Sequence, residues 1–248
     1  MIPINDKIKV PRNRVKRPPP AIGTLQESSL HAALKDWLAE PGDQFEVPVN
    51  GYLIDIVRNE LLLEIQTSNF SAMKVKLNRL LPTHPVRVIY PVAYERWICR
   101  VSKNQKPISR RKSPKRGRFE DVFAQLLRIP RQATHPNFSM EILLTQEEIE
   151  WRDDGRGSWR RKGWSVSDRR LLTVLERITL HNYTDFLSFM PDDLADPFTN
   201  QDLAKAASIR PQLAQKMTYC LRNMGLLTQQ GKKGRYNLYA ISDIEDDQ

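Results

Sequence analysis

The stretch GYLIDIVRNELLLEIQTSNF, residues 51–70, decides how the chain is read. Two apolar runs flank Arg58-Asn59-Glu60, a short polar break suited to a hairpin turn, so residues 51–57 and 61–66 are predicted as paired strands. Strand side chains alternate faces. Leu53, Asp55 and Val57 therefore share one face of the first strand, and Leu62, Glu64 and Gln66 share one face of the second. Pairing Val57 with Glu60, or Arg58 with Leu61, turns Asp55 and Glu64 to the same side, and a slip of one residue separates them. Two carboxylates on apolar strands repel and resist desolvation. A divalent cation is the economical partner, because Mg²⁺ takes a few carboxylates together with water and phosphate oxygens. A plainer reading stands beside it: Asp55 as a surface residue of an edge strand, and Glu64 and Gln66 as the polar face of a half-exposed one.

Working outward, Thr24-Leu25-Gln26-Glu27 fits a capping box ahead of an apolar stripe at Leu30, Leu34, Trp37 and Leu38, which predicts a helix ending at Pro41-Gly42. Glu27 lies on that stripe and would point toward the sheet, unless it serves only as the acid of the box. A strand is predicted at 45–49 and a helix from Ser71 to Leu81. Residues 86–101 read as a strand, a proline break and another strand. Residues 103–118 hold eight Lys or Arg and no acid, a run that is either disordered or laid on phosphate. Helical spacing follows at Phe119–Ile129, then a hairpin of 138–151 and 158–166 around Asp153–Gly157. Ser167 is a plausible cap for a helix from Asp168 to Leu180.

A helix with Glu, a strand with Asp, a strand with Glu-x-Lys and a further helix form the core of the PD-(D/E)xK nuclease superfamily, and residues 21–101 resemble it. Asp55 matches the motif Asp, Glu64 the motif acid, and Gln66 stands at the lysine position. The resemblance implies an α/β fold, a restriction endonuclease-like mixed sheet flanked by helices. It also implies metal-assisted phosphodiester hydrolysis. Asp55, Glu64 and the carbonyl of Ile65 would hold Mg²⁺ or Mn²⁺, Glu27 would join the catalytic set, and Gln66 would orient the attacking water. Gln66 cannot carry charge, so Lys74 or Lys76 on the following helix is a candidate for a migrated cation.

The second informative stretch is residues 198–241. Thr199 with Asp202 caps a short helix, and Ala206-Ala207-Ser208 turns into a longer one from about Ile209 to Asn223. Two strands at 226–230 and 235–241 flank Gly231-Lys232-Lys233-Gly234. This order resembles a small C-terminal winged helix-turn-helix domain, with Asp168–Leu180 as its first helix. The outward face of the longer helix carries Arg210, Gln212, Gln215, Lys216 and Tyr219, and the hairpin tip carries Lys232, Lys233 and Arg235, residues that reach base edges and phosphates. Winged helices also dock proteins.

The formal net charge of +10 and the sequence pI of about 9.7 make a polyanion the first partner to consider, and DNA fits both resemblances. The expected domains are a basic, proline-rich arm at 1–20, a nuclease-like domain at 21–166 and a winged helix at 167–248 with an acidic tail. No apolar run reaches a membrane-spanning length, and the N-terminus lacks the apolar core of a secretory signal, so a cytoplasmic location is expected. Cys99 and Cys220 sit in apolar runs with no metal-ligand spacing. The expected activity is a DNA-binding, metal-dependent endonuclease. The alternatives are a non-catalytic DNA-binding regulator, or a subunit of a defence or transposition complex on a degenerate nuclease fold. A protein partner through the winged helix or acidic tail, and a homodimer, are further options.

Overall fold

Residues 51–66 form the hairpin that their alternation demands. The computed structural model describes residues 28–243 apart from 103, 105, 158 and 160–162. In it β2 (Tyr52–Arg58) and β3 (Leu61–Ile65) run antiparallel, with Arg58 opposite Leu61 and Ile56 opposite Leu63. This is one of the two registers that turn Asp55 and Glu64 to the same side. Asn59 takes the turn with a φ of 53°, a left-handed conformation that asparagine tolerates.

β1 (Gln44–Val49) pairs antiparallel with β2. The sheet continues through β4 (Val86–Val101), β6 (Phe138–Asp153) and β7 (Trp164–Leu180), with β5 (Pro107–Lys112) antiparallel to β4. The architecture is mixed α/β, a mixed central sheet with helices flanking it.

α1 (Ser29–Leu38) lays Leu30, Leu34 and Leu38 on Ile56, Leu63, Ile65, Ile89 and Leu143. Burying each such side chain stabilises the fold by roughly 1.5–3 kcal/mol. Ser28 is the N-cap and accepts from the His31 N–H. Asp168 adds negative charge at the same helix start, accepting from the Ser29 N–H at 3.3 Å and its hydroxyl at 2.7 Å. At the other end Arg58 donates to both carboxylate oxygens of Asp43 and to the Leu38 carbonyl, tying the helix exit to β2.

The described chain divides into two compact units. The first takes the residues up to Thr67, Ile89–Phe119 and Glu141–Ile178; the second takes Ser68–Val88, Glu120–Met140 and the residues from Thr179 onward. The second unit contains α2 (Met73–Leu80), the single-turn α3 (Phe123–Leu126), α4 (Asn200–Ala206), α5 (Pro211–Asn223) and the hairpin of β8 (Leu227–Lys233) and β9 (Tyr236–Ile241). Thr199 and Asp202 complete the expected capping box of α4. Ser208, at a φ of 51°, turns the chain into α5, which ends at Gly225 with a φ of 79°. In this unit's core, Phe123 meets Phe186 and Phe189 edge to face at 6.1 and 5.2 Å. Cys220 is fully buried beside them, and burial pushes its thiol up to about 12.

Several expectations change. Residues 168–180 are not a helix but part of the seventeen-residue β7. Leu171, Val174 and Ile178 are spaced as a helix face, but the segment is drawn into the sheet beside β6, and Arg169 reaches back to Glu147 and to the Thr67 carbonyl. The second unit accordingly begins at Thr179 in this part of the chain, and it takes residues 68–88 and 120–140 out of the span expected to form one nuclease-like domain. Pro91 does not break β4. The basic run includes a strand at 107–112, and the helix expected at 119–129 shrinks to a 3₁₀ turn followed by α3. The basic arm at 1–20, Glu27 and the acidic tail after Asp243 lie outside the described residues. Among the described residues no helix is long and apolar enough to cross a membrane.

Candidate functional site

The β2–β3 register runs from Arg58 and Leu61 to Ile56 and Leu63, one step short of Asp55 and Glu64. There the Asp55 side chain replaces the ladder: its Oδ2 accepts from the backbone N–H of Ile65 at 2.8 Å. The same oxygen lies 3.2 Å from His31 Nε2, and Oδ1 lies 3.9 Å from Lys35 Nζ. His31 and Lys35 are four residues apart on α1 and so present to one side of it. Lys35 is 2 % exposed, and its ammonium also donates to Glu46 Oε1 at 3.2 Å. A lysine this deep persists in its charged form only when paired, and two carboxylates pair it here.

Glu46 is placed by a local distortion of β1. The β1–β2 register holds Phe45 opposite Ile56 and Val47 opposite Ile54 and omits the position between them, Glu46 across from Asp55. Glu46 there has a φ of 53°, outside the range of a regular strand. Such a conformation costs a non-glycine residue about 1–3 kcal/mol and persists where its surroundings hold it. The buried Lys35 ammonium is the group that holds it.

Charge accounts for the state of Asp55. Burial raises its pKa, but the hydrogen bond and charge of His31, the Ile65 N–H and the Lys35 charge outweigh that and leave it below the ordinary value of 3.8. Asp55 is therefore a carboxylate at neutral pH. Glu64 is 6 % exposed, on the neighbouring strand at the register position across from Asp55. Gln66 follows at the end of β3 with its N–H on Ile89. Asp55, Glu64, Ile65 and Gln66 thus gather where β2 and β3 part. Glu27 lies outside the described residues, and Lys74 and Lys76 belong to the other unit. Among the described residues no set of three His, Cys, Asp or Glu side chains is arranged to hold a metal.

Two constellations escape the sequence reading. One is Lys35 and Glu46 around Asp55, where His31, one turn from Glu27 and within reach of the site by its spacing, also lies. The other is Glu147, completely buried on β6, which accepts from Arg169 through both carboxylate oxygens and from the Thr145 hydroxyl, with Arg96 3.6 Å away. No motif flags either, since each is built from residues far apart in sequence. The one usable signal is the adjacency of Lys35 to the stripe residue Leu34.

In the second unit, Arg210, Gln212, Gln215 and Tyr219 are exposed along α5, and Lys216 is half-buried. Lys232, Lys233 and Arg235 are exposed at the β8–β9 hairpin, where the Arg235 guanidinium lies over the Tyr236 ring and donates to its hydroxyl.

Residues 28–181 match the family described as Domain of unknown function (DUF8091), and the chain belongs to that family. The match runs from the α1 cap to the end of β7. It contains the Asp55 cluster and stops before α4, α5 and the hairpin. The chain is also similar to an uncharacterized protein of Treponema pallidum (strain Nichols), 31 % identical over 220 residues that make up 88 % of this chain and 86 % of the relative. No solved structure matches.

Proposed function

We propose that this member of the DUF8091 family binds DNA and hydrolyses its phosphodiester bonds at the Asp55 cluster, on a PD-(D/E)xK-like core coupled to a winged-helix-like reader. The observation that carries the reading is the placement of Glu64 across from Asp55 where β2 and β3 part, with the buried Lys35 ammonium 3.9 Å from Asp55. Gln66 lacks the positive charge of the nuclease pattern, and Lys35 supplies one from α1 instead of from β3. Asp55, Glu64 and the Ile65 carbonyl are hard oxygen donors of the kind Mg²⁺ or Mn²⁺ takes, two carboxylates and a carbonyl that leave room for water and phosphate oxygens. Such an ion supplies Lewis acidity and a bound water of lowered pKa. The protein's own share is electrostatic: Lys35 and His31 keep Asp55 ionised and fixed, and the Gln66 amide offers hydrogen bonds to a water. The exposed α5 side chains and the lysines of the β8–β9 hairpin supply affinity for the duplex, and DNA is the partner this basic chain fits.

A second reading, a non-catalytic DNA-binding regulator or complex subunit, is favoured by Asp55 Oδ2 already facing two donors, His31 and the Ile65 N–H. One assay separates the two. Supercoiled, linear, single-stranded and branched DNA are incubated with the protein in Mg²⁺ or Mn²⁺, beside Asp55→Asn and Glu64→Gln. The proposal requires cleavage of at least one form that both substitutions abolish while the proteins stay folded. Binding without cleavage of any form would establish the second reading, and cleavage unchanged in both variants would remove these residues from the chemistry.

A further inference from the structure

A cleft of about 540 Å³ opens in the second unit, between α2, α5 and the turn that follows α3. Its wall is cationic. Lys74 comes from α2, and Arg128 and Arg131 from the turn, and no Asp or Glu lines the cleft. All three are exposed, and none makes an ion pair with another described residue. Arg128 is held in place by donating to the Ala124 carbonyl at 3.0 Å. Several basic residues of the first unit are paired instead, Arg110 with Glu148, Lys112 and Arg116 with Glu95, and Arg169 with Glu147. Three uncompensated cations around one concavity repel each other, and a bound anion relieves that repulsion.

The α5 residues of the cleft have a different character. Tyr219 and Asn223 stand one turn apart on α5, and Tyr219 is 51 % exposed, an unusual exposure for an aromatic ring. Asn223 donates its amide to the Tyr219 carbonyl at 2.7 Å, which leaves its side-chain oxygen as an acceptor. Gln132, which also lines the cleft, is 8 % exposed and donates to Asn78 at 2.7 Å, and its Oε1 is buried with no hydrogen-bond partner among the described residues. A buried amide acceptor of this kind calls for a donor. Cations, an open aromatic ring and amide acceptors lining one cleft match a ligand that combines phosphate with a flat, donor-bearing ring.

We propose that this cleft binds a nucleoside phosphate, with its phosphate on Lys74, Arg128 and Arg131 and its base stacked on Tyr219. The inference goes beyond the proposed cleavage: it concerns the other unit, needs no metal, and shares only Tyr219 with the proposed duplex-reading face. The ligand is either a free nucleotide or one nucleotide of a single strand, and both present the same chemistry.

The test is a titration of the full-length protein, in EDTA so that no cleavage intervenes, with a fluorescein-labelled eight-nucleotide thymidine strand and, separately, with thymidine monophosphate. Lys74→Ser/Arg131→Ser is expected to weaken binding of the strand at least tenfold. It is also expected to reduce the slope of log affinity against log salt by about 0.7 for each phosphate that the variant no longer neutralises. Tyr219→Leu should weaken it about five- to a hundredfold, and Tyr219→Phe should restore it, because stacking needs the ring and not the hydroxyl. These positions are exposed, and a far-ultraviolet circular dichroism spectrum verifies that the variants fold. Binding of both ligands, abolished for each in the variants, assigns a free-nucleotide site; binding of the strand alone assigns a strand site. The proposal is overturned if neither ligand binds the wild-type protein, or if the serine variant retains full affinity and salt slope. Absence of cleavage in the Mg²⁺ assay leaves this result standing, and absence of strand binding leaves the cleavage assay standing.

Discussion

Replacing Lys35 by Met tests the account of the Asp55 cluster most directly. Met keeps the length and most of the volume of the stem, so the substitution removes charge and little packing. The ammonium lies 3.2 Å from Glu46 and 3.9 Å from Asp55. At an effective dielectric of about 20, those distances correspond to attractions of about 5 and about 4 kcal/mol before desolvation is counted. Deleting the lysine also recovers its own desolvation cost, which is several kcal/mol for an ion as deep as this one. Breaking a buried pair typically costs about 3–5 kcal/mol; the carboxylates of this one retain some solvent, which brings the expected loss to about 2–3 kcal/mol at pH 7.

The loss has a pH signature. Asp55 titrates below its ordinary value of 3.8 in the folded protein, so its interactions contribute stability that is present above that value and lost as pH falls through the folded pKa. Lys35→Met moves the folded pKa back up. The gap between wild type and variant should therefore be full at pH 7 and shrink as pH drops below about 3.8. Urea denaturation followed by tryptophan fluorescence suits the measurement, because all five tryptophans (37, 97, 151, 159 and 164) belong to the unit that holds Lys35. A variant as stable as wild type at pH 7 would refute the reasoning. So would a penalty that stays the same at acid pH, which would point to packing and not charge.

Three further outcomes follow from named contacts. Glu46→Gly should be more stable than Glu46→Ala by about 1 kcal/mol in the same denaturation assay, because both remove the partner of Lys35 and only glycine accepts the φ of 53° freely; equal stabilities would argue against that backbone conformation. Arg169→Met leaves the completely buried Glu147 carboxylate with only the Thr145 hydroxyl and Arg96 beside it and should cost about 3 kcal/mol, part of it recovered in Arg169→Met/Glu147→Leu; an additive double variant would show that the two do not act as a pair. In a Cys99→Ser background at pH 8, the Cys220 thiol, buried and pushed up to about 12, should react with an aromatic disulfide reagent only after unfolding, and rapid labelling of the native protein would contradict its placement.

The hairpin of residues 51–66 is legible in the sequence because its signals agree. Alternation fixes which residues share a face and leaves two turn registers, both of which turn Asp55 and Glu64 to the same side; the structure's Arg58–Leu61 pairing puts Asp55 across from Glu64. α4 and α5 are legible for a similar reason: the capping box at Thr199 and the glycine at 225 mark their limits locally. β7 is not legible. Leu171, Val174 and Ile178 satisfy a helical spacing, and what makes the segment a strand is the hydrogen bonding it finds on β6, a partner that the local pattern does not encode. The interleaving of the two units escapes for the same reason, since segments 68–88 and 120–140 join the second unit through packing across long sequence separations.

The candidate site is legible on its strands and not on its helix, and the difference is physical. On a strand, every second residue shares a face, so two carboxylates at matching positions announce themselves. On α1 the apolar stripe draws attention to Leu30, Leu34 and Leu38, while His31 and Lys35 each sit one residue further along and read as the polar flank. A polar flank normally meets water. Here it meets Asp55 and Glu46, because β1 is distorted at Glu46 and the ladder between β2 and β3 ends beside Asp55. Gln66 therefore looks like a missing charge only if the cation must come from β3. Once the lysine of α1 is placed, charge is present at the cluster, and the question moves from Gln66 to whether Lys35 in that position supports cleavage. Comparing Lys35→Arg with Lys35→Met in the Mg²⁺ assay answers it: charge-dependent chemistry predicts activity in the first and none in the second, and equal activity in both would separate Lys35 from the reaction.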